Sequence, residues 1–132
     1  MNWSKALISG VAGGVALAVY EAIMYGFVMR GTFESHAGVF RADANPAWFS
    51  VVAIAIGVAA GLLFAKSRSS WSAGPKGGMT FGLFLGLVGF FAQFYAPLTH
   101  PGFPYYLAWC FGAITLIGYT ALGAVLGALN KG

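Results

Sequence analysis

Charge is what this chain has least of. Charged residues fill 8% of its 132 positions, and only three of them are acidic, whereas a soluble globular chain carries about a quarter. Water cannot wet a surface so poor in charge, which excludes an ordinary soluble domain and leaves a bilayer as the solvent. Cysteine is nearly absent as well. Cys110 stands alone, so an intramolecular disulfide and any cysteine-based metal cluster within the chain are excluded, and redox compartment cannot be read from it. The sequence has no nucleophile with a base, no paired carboxylates and no Gly-rich phosphate loop ahead of a soluble helix, so it is not expected to be an enzyme. The formal charge of +4 comes from basic residues scattered between apolar runs. They form no basic patch, so nucleic acid is not an expected partner.

What is present is apolar: 59% hydrophobic residues and a mean hydropathy of +0.79. The first apolar run, Ala6 to Met29, lies between Lys5 and Arg30. At the rise of an α-helix it is about 36 Å long, enough to span a bilayer with some tilt. It is too long for the apolar region of a signal peptide and it contains Glu21, so it reads as a retained helix. Segment 30–46 is polar, with Phe33, Val39 and Phe40 loosely spaced, and is expected to lie at the membrane surface. Asn45-Pro46 then supplies a cap and a first-turn proline for a second helix over 47–65. The Ser/Gly-rich, basic stretch 66–78 reads as a solvated connection, 79–98 as a third helix in which Pro97 ends or kinks the chain, and 99–104 as a tight turn. Tyr105, Tyr106 and Trp109 place an aromatic belt at the start of a fourth helix over 105–129. The expected fold is therefore an all-α membrane protein, a single four-helix transmembrane domain over 1–132.

Basic residues set the orientation. With the N-terminus inside, Lys5, Lys66, Arg68, Lys76 and Lys131 fall on the inner side, against Arg30 and Arg41 outside. Both ends are thus expected in the cytoplasm, in a bacterial inner membrane.

The two halves look duplicated. Laid on itself so that Gly10 meets Gly74, the chain also puts Gly13 and Gly14 on Gly77 and Gly78, Phe27 on Phe91, His36 on His100 and Gly38 on Gly102. A slightly shorter offset then puts Ala47-Trp48 on Ala108-Trp109 and Gly57 on Gly118. Since each half crosses twice, this would be a parallel repeat about an axis along the membrane normal. The glycines also serve packing. Small residues recur every fourth position as Gly10, Gly14, Ala18, Ala22 and Gly26, as Ala53, Gly57, Gly61 and Ala65, as Gly78, Gly82 and Gly86, and as Gly123 and Gly127. Such stripes let backbones approach where lipid supplies no hydrophobic drive for association.

Glu21 is the one ionisable residue deep in a span. A carboxylate there costs about 3 kcal/mol unless it is protonated, paired or turned to a polar cavity, and Tyr20 and Tyr25 are its nearest available hydroxyl partners by spacing. Its repeat equivalent at the sequence offset is Leu85, so the carboxylate breaks the symmetry of the halves. It reads either as a proton or cation site or as a neutral acid hydrogen-bonded to a tyrosine or a partner subunit. His36 and His100 fall on the outer side in equivalent connections, and with Glu34 and Asp43 they would offer ligands to a transition metal or a haem iron, or form a proton-sensitive contact. Without that pairing no cofactor is expected. Tyr20, Tyr25, Tyr95, Tyr105, Tyr106, Trp48, Trp109, Phe90, Phe91, Phe94 and Phe103 concentrate aromatic surface at the outer half. They read as interface anchors, or as the lining of a lipid, quinone or pigment pocket.

With its glycine-striped helices, longer first outer connection and short second one, the whole chain resembles the uncharacterised small four-helix inner-membrane proteins of bacteria, a family with no known activity. Through Glu21 alone it also looks like the small multidrug-resistance exporters, in which a carboxylate in the first of four helices exchanges protons for cationic drugs. The outer segment and the parallel Gly-rich repeat depart from that pattern. The leading functional expectation is a non-catalytic bundle that packs in the bilayer against itself or other membrane subunits as an accessory or assembly subunit. The alternatives are a proton-linked transporter of a small solute or ion using Glu21, and a metal or haem redox subunit using His36 and His100. The orientation is checked by accessibility: a cysteine introduced at Ser70 is expected to resist an impermeant thiol reagent applied to intact cells, and labelling from outside would reverse the topology.

Overall fold

The structure, a computed structural model, describes residues 3–28, 46–99 and 104–129. Residues 30–45 of the interfacial segment expected over 30–46 lie outside them. Among the described residues five α-helices follow one another: α1 (Trp3–Ile23), α2 (Pro46–Lys66), α3 (Gly74–Ala92), the short α4 (Tyr95–Thr99) and α5 (Tyr105–Leu129). Among the described residues there is no strand. Four of the described helical stretches are long and apolar enough to cross a membrane, the third running through α3 and α4.

The helix boundaries differ from the sequence reading at several places, and α1 begins at Trp3 rather than at Ala6. The first helix does not run evenly to its end: after Ile23 it widens into a π-helical turn over Met24–Val28. The third helix begins earlier than its polar composition suggests, at Gly74, so the connection shrinks to residues 67–73. Gly74 turns the chain into the helix with φ +81, a left-handed conformation that glycine tolerates without strain. Pro75 follows at the start of the helix, where its missing N–H costs nothing. Gly77 and Gly78 then lie inside the helix, buried by packing rather than solvated. At the other end, Gln93 and Phe94 donate their backbone N–H groups three residues back, to the carbonyls of Phe90 and Phe91. This tight turn separates α3 from α4. Pro97 lacks the N–H that would bond the Gln93 carbonyl, which accounts for the break there.

Packing is by hairpins. α1 lies along α2, α3 along α5, and the two pairs join through α1 and α5. Glycine sets the spacing in each hairpin. A Cβ at Gly57 would strike the Gly10 carbonyl oxygen and come within 2.5 Å of Gly14 Cα; one at Gly61 would come within 2.8 Å of the Ala6 carbonyl oxygen and 2.9 Å of Gly10 Cα. The second hairpin repeats these relations. A Cβ at Gly123 would strike the Gly78 carbonyl oxygen and come within 2.9 Å of Gly82 Cα, and one at Gly127 would strike the Gly74 carbonyl oxygen and lie 3.0 Å from Gly78 Cα. These contacts give Gly10 the role of Gly78, one helical turn from the Gly74 that the sequence offset pairs with it. Gly86 faces Leu116 of α5 in the same stripe. Ala18 is half-buried and packs on the edge of the core.

The same contacts place the starts of α1 and α3 and the ends of α2 and α5 at one end of the bundle. Lys5, Lys66, Arg68 and Lys76, all the basic residues among those described, gather there. The core runs along the middle of the molecule: Leu17, Ala53, Ala60, Phe64, Phe81, Leu122 and Leu126 form one buried cluster to which each of the four long helices contributes. Outward-facing positions such as Ile8, Val19, Val52 and Val88 are exposed, as lipid-facing side chains are.

Because backbone meets backbone at these glycines, a side chain there must separate the helices. Gly57→Val and Gly123→Val are each expected to destabilise the bundle by about 3 kcal/mol, read as a lower thermal midpoint in detergent. Val19→Ala, on an exposed face, is expected to change stability by no more than about 0.5 kcal/mol.

Candidate functional site

The seam between α1 and α5 has an apolar centre. A Cβ at Gly13 would strike the Leu122 side chain, and one at Gly118 would meet Leu17 Cδ1 at 3.0 Å and the Tyr20 ring at 2.9 Å. The smallness of Gly118 is thus what admits the Tyr20 ring. Toward the far end of the seam Leu107 and Ile114 are buried, and Tyr20, Met24, Tyr25 and Phe111 pack on them. Tyr25 and Phe111 meet edge to face, their ring centroids 5.6 Å apart.

Polar groups border this seam. Glu21 lies in the last turn of α1 and Tyr25 four residues on, in the π-helical turn, while Thr115 and Tyr119 sit one turn apart on α5 and share a face of it. The Tyr25 and Thr115 side chains are hydrogen-bonded to each other. The half-buried Glu21 carboxylate lies within electrostatic reach of Tyr20, Tyr25 and Tyr119. The hydroxyl of Tyr20 is buried and has no hydrogen-bond partner among the described residues. On the far side of α5, Gly89 of α3 gives room to the same pair: a Cβ there would meet Thr115 Cγ2 at 2.6 Å and the Tyr119 ring at 3.3 Å. In the contact register of the two hairpins Gly89, not Leu85, stands opposite Glu21. One half therefore carries a carboxylate where the other carries a space that an aromatic hydroxyl residue fills.

Glu21 is the only acidic residue among those described, and the basic residues described gather at the other end of the bundle. A carboxyl group surrounded by tyrosines in an apolar seam can take up a proton. It can also take up a small cation, with oxygen ligands from the carboxylate and hydroxyls and with aromatic faces for charge. The π-helical turn begins three residues after Glu21, between it and the end of the described helix. Such turns widen a helix locally and redirect the side chains around them.

The sequence named Glu21, Tyr20 and Tyr25 but not Thr115, Tyr119 or the glycines behind them. No local signal could have done so, because these residues sit on another helix and are polar in a way that any interfacial Thr or Tyr is. His36, His100, Glu34 and Asp43 lie outside the described residues. Among the described residues no group of three His, Cys, Asp or Glu side chains comes together. Cys110 is exposed rather than buried in the core. Trp109 meets Phe90 and Phe94 edge to face, with ring centroids 5.5 Å and 5.3 Å away, and Tyr95, Tyr105 and Tyr106 are exposed.

The orphaned hydroxyl and the bonded one make opposite predictions. Tyr20→Phe removes a buried polar atom without a partner and is expected to stabilise the protein by about 1 kcal/mol, whereas Tyr25→Phe leaves Thr115 without its bond and is expected to destabilise it by about 1 kcal/mol. Thermal unfolding of the two variants in one detergent checks the contrast.

No known protein family, no curated protein and no solved structure matches this chain.

Proposed function

We propose that this chain is an integral membrane protein that performs proton-linked transport of a small cation or solute, with Glu21 as the group that binds either a proton or the cargo. One observation carries the reading: the only described acidic side chain is half-buried in the α1–α5 seam among Tyr20, Tyr25, Thr115 and Tyr119, away from every described basic residue. An intramembrane carboxylate is costly, and a chain that needed only packing would have an apolar residue there. A single carboxylate cannot hold a proton and a cation together, so release of one drives uptake of the other.

The packing glycines bear on the assembly role expected from the sequence. Gly10, Gly14, Gly57, Gly61, Gly78, Gly82, Gly86, Gly123 and Gly127 are buried within the chain, so their stripes are occupied before any partner arrives. Closely packed hairpins leave no wide pore in one copy, so in this reading the chain works as an oligomer or beside other membrane subunits. The gathering of described basic residues at one end supports both termini in the cytoplasm. The recurrence of the same glycine contacts in both hairpins supports a parallel internal repeat.

Reconstitution into vesicles with a trapped pH dye tests the role of Glu21. A cation gradient is expected to drive proton movement through the wild type, Glu21→Gln to reduce it to the level of empty vesicles, and Glu21→Asp to retain part of it. Equal flux through Glu21→Gln would remove Glu21 from the mechanism. A wild type as tight as empty vesicles would return the weight to an assembly role.

A further inference from the structure

Where α1 and α5 close one side of the bundle, the other side stays open. α2 and α3 are held apart by rings: Phe64 meets Phe81 edge to face with centroids 5.1 Å apart, and Trp71 meets Phe81 at 5.5 Å. The result is an open cleft of about 300 Å³ between the two helices. Its walls are Leu63 from α2 and Phe84, Leu85 and Val88 from α3, and Ser67 and Trp71 stand at its mouth.

The mouth is built and fixed. The Trp71 indole N–H donates to Ser67 Oγ at 2.9 Å, and Ser67 Oγ donates in turn to the Leu63 carbonyl at 2.8 Å. Arg68 Nη1 donates to the carbonyls of Trp71 at 2.9 Å and Ser72 at 3.4 Å, with its guanidinium 5.2 Å from the centre of the Phe64 ring. Lys66 and Lys76, both exposed, flank the same connection. This end therefore carries the described basic residues Lys5, Lys66, Arg68 and Lys76, while the only described acid sits in the other half of α1. A tryptophan with its N–H satisfied and its ring against apolar walls is placed as such rings are at the level of lipid headgroups.

We infer that the α2–α3 cleft binds one phospholipid with an anionic headgroup, its acyl chain lying against Leu63, Leu85 and Val88 and its phosphate facing Lys66 and Lys76. Apolar walls inside a bilayer and the exposed cationic side chains of Lys66 and Lys76 toward its interface complement the two ends of such a lipid. A zwitterionic lipid would fill the cleft without using the charge, since basic residues near the surface favour anionic headgroups by about fivefold each. The inference rests on the chain spanning a bilayer and is independent of Glu21.

The test uses the full chain with Trp71 as its only tryptophan (Trp3→Phe, Trp48→Phe, Trp109→Phe), reconstituted into vesicles. Quenching by brominated phosphatidylglycerol is compared with quenching by brominated phosphatidylcholine. Phosphatidylglycerol is expected to quench at several-fold lower mole fraction, the preference falling about fivefold for each of Lys66→Gln and Lys76→Gln. Val88→Phe fills the cleft at a position 68% exposed, where folding tolerates the change, and is expected to abolish the preference with both lysines present. Equal quenching by the two lipids, or a preference that survives Val88→Phe, would overturn the inference. So would efficient disulfide cross-linking of Val88→Cys in a Cys110→Ser background, which would place a second copy in the cleft instead. Glu21→Gln is expected to leave the lipid preference intact.

Discussion

Backbone-to-backbone contact at glycine is the constraint on which the rest of this structure depends. In lipid, burying an apolar side chain against a neighbouring helix gains nothing over burying it against acyl chains, so association must come from dispersion between closely fitted surfaces. Gly57 against Gly10 and Gly14, and Gly123 against Gly78 and Gly82, bring helix axes close enough for that fit. Both hairpins use the same solution, so each is a unit before it meets the other.

The meeting of the units is unequal. On one side α5 carries Gly118, which admits the Tyr20 ring, and the two helices close along a seam. On the other side the rings of Phe64, Phe81 and Trp71 occupy the corresponding ground and hold α2 and α3 apart. Closure gathers hydroxyls around a carboxylate; separation leaves an apolar cleft toward the end where the described basic residues gather. The two candidate sites therefore come from one difference, small residues in one seam and aromatic residues in the other, and they sit toward opposite ends of the bundle.

Polarity is handled differently at the two ends. At the connection between α2 and α3, Ser67, Arg68 and Trp71 bond to one another and to nearby carbonyls, so a short loop becomes a rigid platform. Near Glu21 the accounting is left open: Tyr25 and Thr115 bond each other, but the Tyr20 hydroxyl is buried without a partner among the described residues. A buried donor without an acceptor is a cost that packing alone does not explain, and it lies beside the one carboxylate that composition also leaves unexplained.

The sequence by itself determined the class of solvent, the four apolar helices and the glycine stripes, because these follow from composition and from periodicity along one helix. It also marked Glu21, since a lone carboxylate in an apolar run is visible without any partner. It misplaced the start of the third helix, because Gly77 and Gly78 read as loop until Ser72 and α5 are seen to pack on them. Which stripes meet, and in what register, only the tertiary structure decided: glycine matches glycine at many offsets, and the contacts choose Gly78, not Gly74, as the counterpart of Gly10. The company of Glu21 was likewise undecidable from the chain, because Tyr119 reaches it, and Thr115 its neighbour Tyr25, from a helix far away in sequence, through space that Gly89 and Gly118 leave by having no side chain.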